Sequence, residues 1–320
     1  MLFGAHVSSA GGISNAVDRA EALGCDAVQV FTQSPRMWRP TDHTEEQVER
    51  FRARRDEAGI GAVVCHALYL VNLASPDDQL YERSRAAMRA TVDAACAIGA
   101  EGVVFHVGSH LGTGFDAGVA RIVPAMQELL DACDGRTRLL LENTAGTGGT
   151  IGRSTAELEA LFEALDGHPL LGVCLDSCHW WASGVDVTDP AALDEAVSDL
   201  ERRIGLDRLL CLHVNDSKTP LGSNRDRHDS VGRGLMGDGL GAFLAHPAFQ
   251  ELPAILETAR ADSDGIDAAD VAGLRKLHAK AIRRRARAGG KPSAPTRRAA
   301  KTRRASSRRP SRRGDTSGPA

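Results

Sequence analysis

Residues 211–234 read CLHVNDSKTPLGSNRDRHDSVGRG, and this stretch joins an apolar run to a polar loop that is rich in possible metal ligands. The apolar run ends in His213, and the loop then presents Asp226 and His228. Side chains of an extended segment point to the same side at every second residue, so the D-x-H pair places a carboxylate beside an imidazole. This donor set suits zinc better than calcium, which prefers oxygen ligands. By itself the pair is a weak signal, and its meaning depends on whether other apolar runs end in the same way.

Short runs rich in Val, Leu and Phe alternate with segments of helical periodicity, and the alternation repeats eight times. The apolar runs are 2–7, 26–32, 62–66, 102–107, 137–142, 171–176, 209–214 and 253–257. Helices are predicted at 13–23, 44–58, 80–98, 117–132, from 154 onward, and at 190–204, 240–246 and 266–282. Ser154 and Glu157 form a capping-box pattern at the start of the fifth helix. Apolar strands followed by helices are typical of a parallel sheet that is buried on both faces. Eight such units predict an α/β fold, a closed (β/α)8 TIM barrel with its active site in the loops that follow the strands.

Six successive apolar runs end at, or close to, a residue that can bind a metal. These residues are His66, His106, Glu142, Asp176, His213 and Glu257, and His179, Asp226 and His228 bring the number of candidates to nine. A single residue of this kind is usually a hydrogen-bonded core residue. Several carboxylates in one barrel mouth, however, are costly to bury unless cations neutralise them. Nine candidates are enough for more than one ion, and metal pairs that share a carboxylate are suited to phosphodiester hydrolysis. His6 and His110 are candidates for supporting these ligands.

Charge divides the chain into an acidic body and a basic end. Of the 39 Lys and Arg residues, 15 lie in residues 280–320, together with one of the 42 acidic residues, which gives this segment a net charge of +14 and the rest −17. Because large apolar residues are almost absent after Ile282, we predict a catalytic barrel over residues 1–279 and a disordered Arg/Lys-rich tail over residues 280–320. Such basic arms bind polyanions without sequence preference, so non-specific DNA contact is one interpretation of the tail. A compositional bias without a function is the other.

The seven cysteines show no paired spacing typical of a secreted scaffold. The first residues, MLFGAHVSSAGG, lack the basic flank and the long apolar core of a signal peptide, and no apolar run is long enough to cross a membrane. We therefore expect a cytoplasmic protein that is not associated with a membrane.

Nine short motifs spread over residues 1–260 carry a resemblance to a known family. They are GAHVSSAGG at 4–12, FTQSPRMW at 31–38, HALYLVNLASP at 66–76, FHVGSH at 105–110, LENTAG at 141–146, CLDSCH at 174–179, HVNDSK at 213–218, DRHDSVGRG at 226–234 and LET at 256–258. Together they resemble the endonuclease IV family, the zinc-dependent apurinic/apyrimidinic endonucleases of base-excision repair (family 2). The resemblance implies a DNA repair endonuclease that hydrolyses the phosphodiester 5′ to abasic sites in duplex DNA. The implied products carry a 3′-hydroxyl and a 5′-deoxyribose phosphate, and family members also trim blocked 3′ ends.

The resemblance also implies a role for individual residues around three zinc ions per chain. His66, His106 and Glu142 would hold one zinc, and Glu142 would bridge to a second and position the attacking hydroxide. The second zinc would also be bound by Asp176, His213 and Glu257, and the third by His179, Asp226 and His228. Arg36, Tyr69 and Leu70 would contact the DNA and fill the gap at a flipped abasic sugar. The implied partner is duplex DNA on the nucleoid, without an obligatory protein partner.

Two other functions remain open. A metal-dependent sugar isomerase-like barrel would use Glu, Asp and His at strand ends with two ions, but a small sugar would need neither the third ligand set nor the Arg/Tyr wedge. A non-enzymatic protein that binds DNA through its tail would leave nine converging ligands unexplained. Arg233 departs from the acidic residue that is usual at this place in the resembled family, and it reverses a charge beside the third ligand set.

Overall fold

The computed structural model describes residues 1–259, 265–287 and 289. Its parallel barrel consists of β1 (Leu2–Val7), β2 (Ala27–Phe31), β3 (Ala62–His66), β4 (Gly102–Phe105), β5 (Arg138–Glu142), β6 (Leu171–Asp176), β7 (Leu209–His213) and β10 (Pro253–Leu256). The barrel closes because β1 pairs with both β2 and β10. A small antiparallel ribbon of β8 (Asp216–Ser217) and β9 (His228–Asp229) lies between β7 and β10 in sequence. The predicted TIM barrel is confirmed.

Helices connect the strands and cover the outside of the barrel. They are α1 (Asn15–Ala22), α2 (Glu45–Ala58), α3 (Asp78–Ile98), α4 (Phe115–Ala132), α5 (Thr155–Ala164), α6 (Ser177–Ser183), α7 (Pro190–Arg203), α8 (Gly241–Leu244) and α9 (Ala268–Arg287). Short 3-10 turns occur at Thr147–Gly149, Leu206–Arg208, Gly237–Leu240 and Pro247–Phe249. Among the helices of the described ranges, none is both long and apolar enough to cross a membrane. The sequence patterns predicted neither α6 nor the ribbon, because both are too short to show a periodicity.

Local side chains decide where the helices begin. Thr44 and Gln47 form a complete capping box at the start of α2, in which each side chain bonds to the backbone N–H of the other. At α5 only half of the predicted box forms, since the Ser154 hydroxyl accepts from the Glu157 N–H at 3.2 Å. The Glu157 carboxylate instead accepts from the backbone N–H groups of the two residues that precede Ser154.

The interior of the barrel is a small apolar cluster separate from the core between strands and helices. Its buried members are Ala27, Ala62, Val64, Val104, Leu140, Cys174, Cys211 and Ile255. Side chains in a strand return to the same face at every second residue. Each of the six predicted ligands at the strand ends lies two positions after a member of this cluster. These members are Val64, Val104, Leu140, Cys174, Cys211 and Ile255. The strand period therefore aims each of these ligands into the barrel mouth, directly above the apolar cluster.

Helix α9 ends later than predicted and includes the first part of the segment assigned to the tail. Leu274 and Leu277 are buried, and beyond them Lys280 forms an exposed ion pair with Asp238 at 2.5 Å. The following residues are mostly Arg and Ala, which are good helix formers, so the helix continues to Arg287. Apart from residue 289, the remainder of the predicted tail lies outside the described residues, and so does the prediction that it is disordered.

Asp26 connects the first two strands to the last helix at the amino-terminal end of the barrel. Its Oδ2 accepts from the Phe3 N–H at 3.0 Å, and its Oδ1 lies 2.8 Å from the Arg275 guanidinium. The same guanidinium lies over the Phe3 ring, 4.9 Å from its centroid. Burial by itself would raise the pKa of Asp26, but the hydrogen bonds from Arg275 and Phe3 outweigh it and lower the pKa below its ordinary value. The ionised carboxylate therefore stabilises the closed barrel.

We expect Asp26→Asn to lower the free energy of unfolding at pH 7 by about 1 kcal/mol, because the pair is partly exposed and screened by solvent. A carboxyl whose pKa is lowered by folding stabilises the protein above its unfolded pKa, and this contribution is lost as the pH falls through the folded pKa. The difference between wild type and variant should therefore shrink on acidification. Urea unfolding at pH 7, 5 and 3 measures it. Asp78→Asn, which removes the exposed pair with Arg121, is the control; equal unfolding free energies of Asp26→Asn and wild type at pH 7 would contradict the prediction.

Candidate metal centre

All nine predicted ligands lie at the carboxyl-terminal mouth of the barrel. His66, Glu142, Asp176 and His213 are the last residues of β3, β5, β6 and β7, and His106 and Glu257 directly follow β4 and β10. The other three come from outside the barrel strands: His179 from α6, Asp226 from the loop between β8 and β9, and His228 from β9. The three ligand sets that the resemblance implies adjoin one another at Glu142 and Asp176. Ligand atoms that lie within 4.8 Å of one another include those of His66, Glu142 and His213, those of His106, Glu142 and His179, and those of His179, Asp226 and His228.

The first group consists of His66, His106 and Glu142. The Oε2 atom of Glu142 lies 3.3 Å from His66 Nε2 and 3.5 Å from His106 Nε2. The other oxygen, Oε1, lies 3.0 Å from His213 Nδ1 and 3.3 Å from His179 Nδ1. The carboxylate is buried, with an exposed fraction of 2%. Its two oxygens thus face two different sets of imidazoles, which is the arrangement needed to bridge two ions.

The second group consists of Asp176, His213 and Glu257, with Glu142 shared. His213 Nδ1 lies 3.3 Å from Glu257 Oε2. The Asn215 amide donates to Asp176 Oδ2 at 2.6 Å and to Glu257 Oε2 at 3.0 Å, and so holds these two carboxylates near each other. A single amide cannot neutralise two carboxylates, so this group retains excess negative charge.

The third group consists of His179, Asp226 and His228. Asp226 Oδ2 lies 3.2 Å from His179 Nε2, and Asp226 Oδ1 lies 3.0 Å from His228 Nε2. The two imidazole Nε2 atoms are 3.2 Å apart. The Asp226 side chain is 48% exposed and that of His228 21%, whereas His179 is buried at 2%. This group therefore opens towards solvent, unlike the other two.

Hydrogen bonds behind the imidazoles fix which nitrogen of each ring faces the centre. His66 Nδ1 donates to the carbonyl of the next residue at 2.7 Å, and His179 Nδ1 donates to the Asn143 carbonyl at 2.9 Å. His213 is turned the other way, because its Nε2 donates to Gln29 Oε1 at 2.7 Å. A carbonyl accepts only from a protonated nitrogen, so the opposite nitrogen of each ring is the one left to bind an ion once it has lost its proton. Metal-binding histidines are held by outer hydrogen bonds of this kind.

Electrostatics in the mouth also favours bound cations. Burial would lower the pKa of His213, but the carboxylates of Glu257 and Glu142 outweigh it and raise the pKa to about 10. Burial would raise the pKa of Glu257, but His213 together with His66 and His228 outweighs it, and the pKa is lowered to about 2. Protons on imidazoles thus offset the carboxylates where cations would otherwise do so. Divalent ions would displace these protons on binding, because a metal ligand must be deprotonated.

The donor set fits zinc, since it combines neutral imidazole with carboxylate and offers three or four ligands in each group. His106 agrees with this assignment. Burial lowers its pKa, which keeps the ring neutral. Its buried Nδ1 has no hydrogen-bond partner among the described residues, whereas its Nε2 lies 3.5 Å from Glu142 Oε2 and is the nitrogen that faces the centre.

Sequence reasoning missed two supporting residues, Gln29 and Asn215. Gln29 is a polar residue inside the otherwise apolar strand AVQVF, which was the available signal, and its Nε2 donates to Glu257 Oε1 at 2.7 Å. His6 was expected to support the ligands, and its Nδ1 lies 3.0 Å from Gln29 Nε2, while burial lowers its pKa to about 3 and keeps it neutral. His110 instead accepts from two glycine N–H groups at 3.2 Å and shapes the loop after β4.

A cleft of about 910 Å³ lies beside the third group, and its lining includes Tyr69, Leu70, Leu111, Arg225 and Arg227. Tyr69 is 65% exposed and Leu70 36%, in the loop after β3. The Tyr69 ring stands edge-on to Phe31, with centroids 5.2 Å apart. Partial desolvation of the phenol and the nearby carboxylates of Glu257 and Glu142 raise the pKa of Tyr69 to about 12, so the phenol stays neutral. Arg36 is exposed in the loop after β2.

Comparison with known sequences shows extensive similarity over the barrel. The model of the family described as xylose isomerase-like TIM barrel matches residues 17–280. A probable endonuclease 4 of Chloroflexus aggregans is 39% identical over 277 residues, which cover 86% of this chain and 97% of that protein. A probable endonuclease 4 of Methanoculleus marisnigri is 39% identical over 279 residues, which cover 87% and 99%.

Solved structures agree with the sequence comparison. Endonuclease IV from Thermus thermophilus matches with a TM-score of 0.77 at 34% identity, covering 89% of this chain and 100% of that chain. A D-tagatose 3-epimerase-like protein matches with a TM-score of 0.65 at 16% identity, which reflects the barrel fold alone. These three relatives, with 34–39% identity over nearly their whole length, are named as endonuclease IV or probable endonuclease 4. The chain therefore belongs to the endonuclease IV family, the nucleases among the xylose isomerase-like TIM barrels.

Proposed function

We propose that the protein is a zinc-dependent DNA repair endonuclease that hydrolyses the phosphodiester 5′ to an abasic site in duplex DNA. The products would carry a 3′-hydroxyl and a 5′-deoxyribose phosphate, and the same centre would trim blocked 3′ ends. The observation that carries the proposal is the convergence of nine ligand-type side chains in three adjoining groups beside a cleft of about 910 Å³. Membership of the endonuclease IV family supports it.

Three zinc ions per chain would be held by the first, second and third groups. When bound, zinc supplies Lewis acidity towards phosphate oxygens and makes water more acidic. The carboxylate of Glu142 connects the first and second groups, because its two oxygens face different imidazoles. Gln29 keeps the Nδ1 lone pair of His213 directed at the centre, and Asn215 keeps Asp176 near Glu257. These residues pre-organise the mouth for a substrate that carries negative charge.

Arg36, Tyr69 and Leu70 would recognise the abasic site. A neutral phenol and an aliphatic side chain that project from one loop can replace the stacking that a missing base no longer provides. Opening the duplex is least costly where the base is already absent, which accounts for selectivity. Arg225 and Arg227 line the cleft on either side of Asp226, where guanidinium groups can bind DNA phosphates.

A sugar isomerase-like function is less well supported by the same geometry. The third group and the exposed Tyr69 border an open cleft, which suits a long substrate better than a small sugar. The structural similarity to epimerases, at 16% identity, concerns the fold alone. The proposed location is the cytoplasm, on the nucleoid, in agreement with seven free cysteines.

We expect the zinc-loaded chain to nick a duplex that contains one tetrahydrofuran abasic analogue, and a strong zinc chelator to abolish the nick. Glu142→Gln keeps the shape of the side chain but removes the shared charge, so its rate should fall by at least about a hundredfold. Gel electrophoresis of end-labelled strands measures the rate, and extension by a polymerase shows whether the new end is a 3′-hydroxyl.

The matched control is Glu128→Gln, since Glu128 lies on the exposed surface of α4 and pairs with Arg85. Its rate should equal that of the wild type. Two results would contradict the proposed activity. One is that the intact, zinc-loaded chain does not nick the duplex, and the other is that its rate is unchanged in the presence of the chelator.

We expect Tyr69→Ala and Leu70→Ala to weaken binding of abasic duplex by about tenfold each, because one stacked contact contributes roughly 1–3 kcal/mol. Zinc content should not change, since neither side chain belongs to the three groups. Fluorescence anisotropy with abasic and intact duplexes measures the preference for the lesion. Ile282→Ala is the control, because Ile282 is as exposed as Leu70, at 36%, but lies on α9. A preference for abasic DNA that survives both substitutions would exclude these residues as the wedge.

The basic tail is proposed to contact DNA non-specifically. Residues 290–320 contain ten Lys or Arg residues and one acid. Truncation after Gly289 keeps all of α9 and should lower DNA affinity and flatten its dependence on salt, by a slope of about 0.9 for each phosphate that the tail neutralises. Anisotropy titrations at several salt concentrations measure this slope. An identical slope in the full chain and the truncated chain would show that the tail does not bind DNA.

A further inference from the structure

Two of the nine ligands are held neither by a barrel strand nor by the helix that follows it. Asp226 lies in the loop between β8 and β9, and His228 lies on β9. Their side chains are 48% and 21% exposed, so core packing does not fix their positions. A loop of this length needs specific contacts to hold two ligands at a defined place.

The carboxylate of Asp216 supplies such contacts at the base of this loop. Its side chain is fully buried. Oδ1 accepts from the N–H groups of Ser217 at 2.8 Å and Met236 at 2.9 Å. Oδ2 accepts from the N–H groups of Gly232 at 3.1 Å and Gly237 at 3.0 Å. One side chain therefore joins the chain as it leaves β7 to the chain as it returns after β9.

The short ribbon of β8 and β9 connects Asp216 to the ligand His228. Asp216 pairs with Asp229, and Ser217 pairs with His228, in antiparallel register. The Lys218 N–H also donates to the Arg227 carbonyl at 2.9 Å, which extends the ribbon by one step towards Asp226. Fixing β8 therefore fixes β9, and with it the backbone on both sides of the third group.

Gly234 lets the returning chain approach the carboxylate. A Cβ at this position would lie 2.5 Å from Asp216 Oδ1 and 2.5 Å from the Ser217 carbonyl oxygen. These distances are shorter than non-bonded contacts of real Cβ atoms. An alanine at this position would therefore push the segment around Gly234 away from β8. Arg233, which precedes this glycine, is exposed and is not part of the contact.

The far end of the loop has a separate attachment. The Gly222 N–H donates to the Trp181 carbonyl at 3.0 Å, and the Asn224 N–H donates to the Ala182 carbonyl at 2.8 Å. Trp181 and Ala182 belong to α6, which also carries His179. The loop segment that carries Asp226 is therefore attached both to α6 and to the base of the loop. The distance from Asp226 to His179 depends on both attachments.

We infer that Asp216 is a positioning residue that holds Asp226 and His228 against His179 and thereby creates the third zinc site. The inference rests on the proposed three-zinc function. It assigns Asp216 no contact with metal or substrate, since all four of its hydrogen bonds go to backbone N–H groups within residues 217–237.

Asp216→Asn tests the inference with a side chain of the same shape. The amide offers one accepting oxygen, so the two N–H groups that faced the other oxygen lose their acceptor and meet an NH2 group. We expect zinc per chain, measured by atomic emission on the full-length protein, to fall from three to two. Nicking should fall by about 10–100-fold and recover in part as zinc is raised, as expected for the loss of a residue that supports metal ligands. Trypsin should cleave faster after Arg225 and Arg227.

Two further variants complete the test. Asp238→Asn is the control, because Asp238 lies in the same segment but is 72% exposed and pairs with Lys280; it should keep three zinc ions. Gly234→Ala disturbs the contact between Asp216 and the returning chain without changing a charge. It replaces Asp216→Asn as the test if that variant does not fold. Two zinc ions in Gly234→Ala support the inference. Three zinc ions with wild-type nicking in either Asp216→Asn or Gly234→Ala overturn it. Fewer than three zinc ions in the wild type would instead count against the proposed three-zinc function.

Discussion

The buried carboxylate of Glu142 imposes the constraint on which the barrel mouth depends. Taking a carboxylate out of water costs several kcal/mol unless opposite charge compensates it, and Glu142 shares the mouth with further carboxylates. Its surroundings are imidazoles, which compensate as protonated rings or as neutral ligands of a cation. The cluster beneath this carboxylate is apolar. The mouth is thus stable with bound positive charge, and binding and folding favour the same arrangement.

The centre depends on two features of the fold, the two-residue period of the strands and the closure of the barrel. The period of two residues aims six side chains inwards, because each lies two positions beyond a residue of the interior cluster. Closure then brings ends that are far apart in sequence, such as those of β3 and β10, to one place. The third group follows another rule. Its ligands come from α6 and a loop, so hydrogen bonds of buried Asp216 replace the strand as the scaffold.

The same barrel also shows why fold alone does not determine chemistry. Epimerase-like proteins share the architecture at low identity. In this chain the features that suit a long, charged substrate lie in the loops after β3 and β7, where Tyr69 and Arg225 border the cleft. Loops can change in sequence without disturbing the strand pairing. Residues that determine substrate preference therefore lie in loops and not in the strands.

The barrel and six of the nine candidate ligands could be predicted from the amino-acid sequence, because they follow from local periodicity and from residue type at the strand ends. Asp226 and His228 were predicted from the D-x-H pair, and His179 from its place just after the sixth strand. Motif resemblance also marked Tyr69, Leu70 and Arg36. The resemblance also implied how the nine side chains are grouped, but the folded chain was needed to show which oxygen of Glu142 faces which imidazole and how Gln29 and Asn215 support the ligands. It also extended α9 to Arg287 and showed the role of Asp216 at the base of the loop. These features depend on contacts between residues far apart in the chain, such as Gln29 and His213, and no local pattern specifies such a distance.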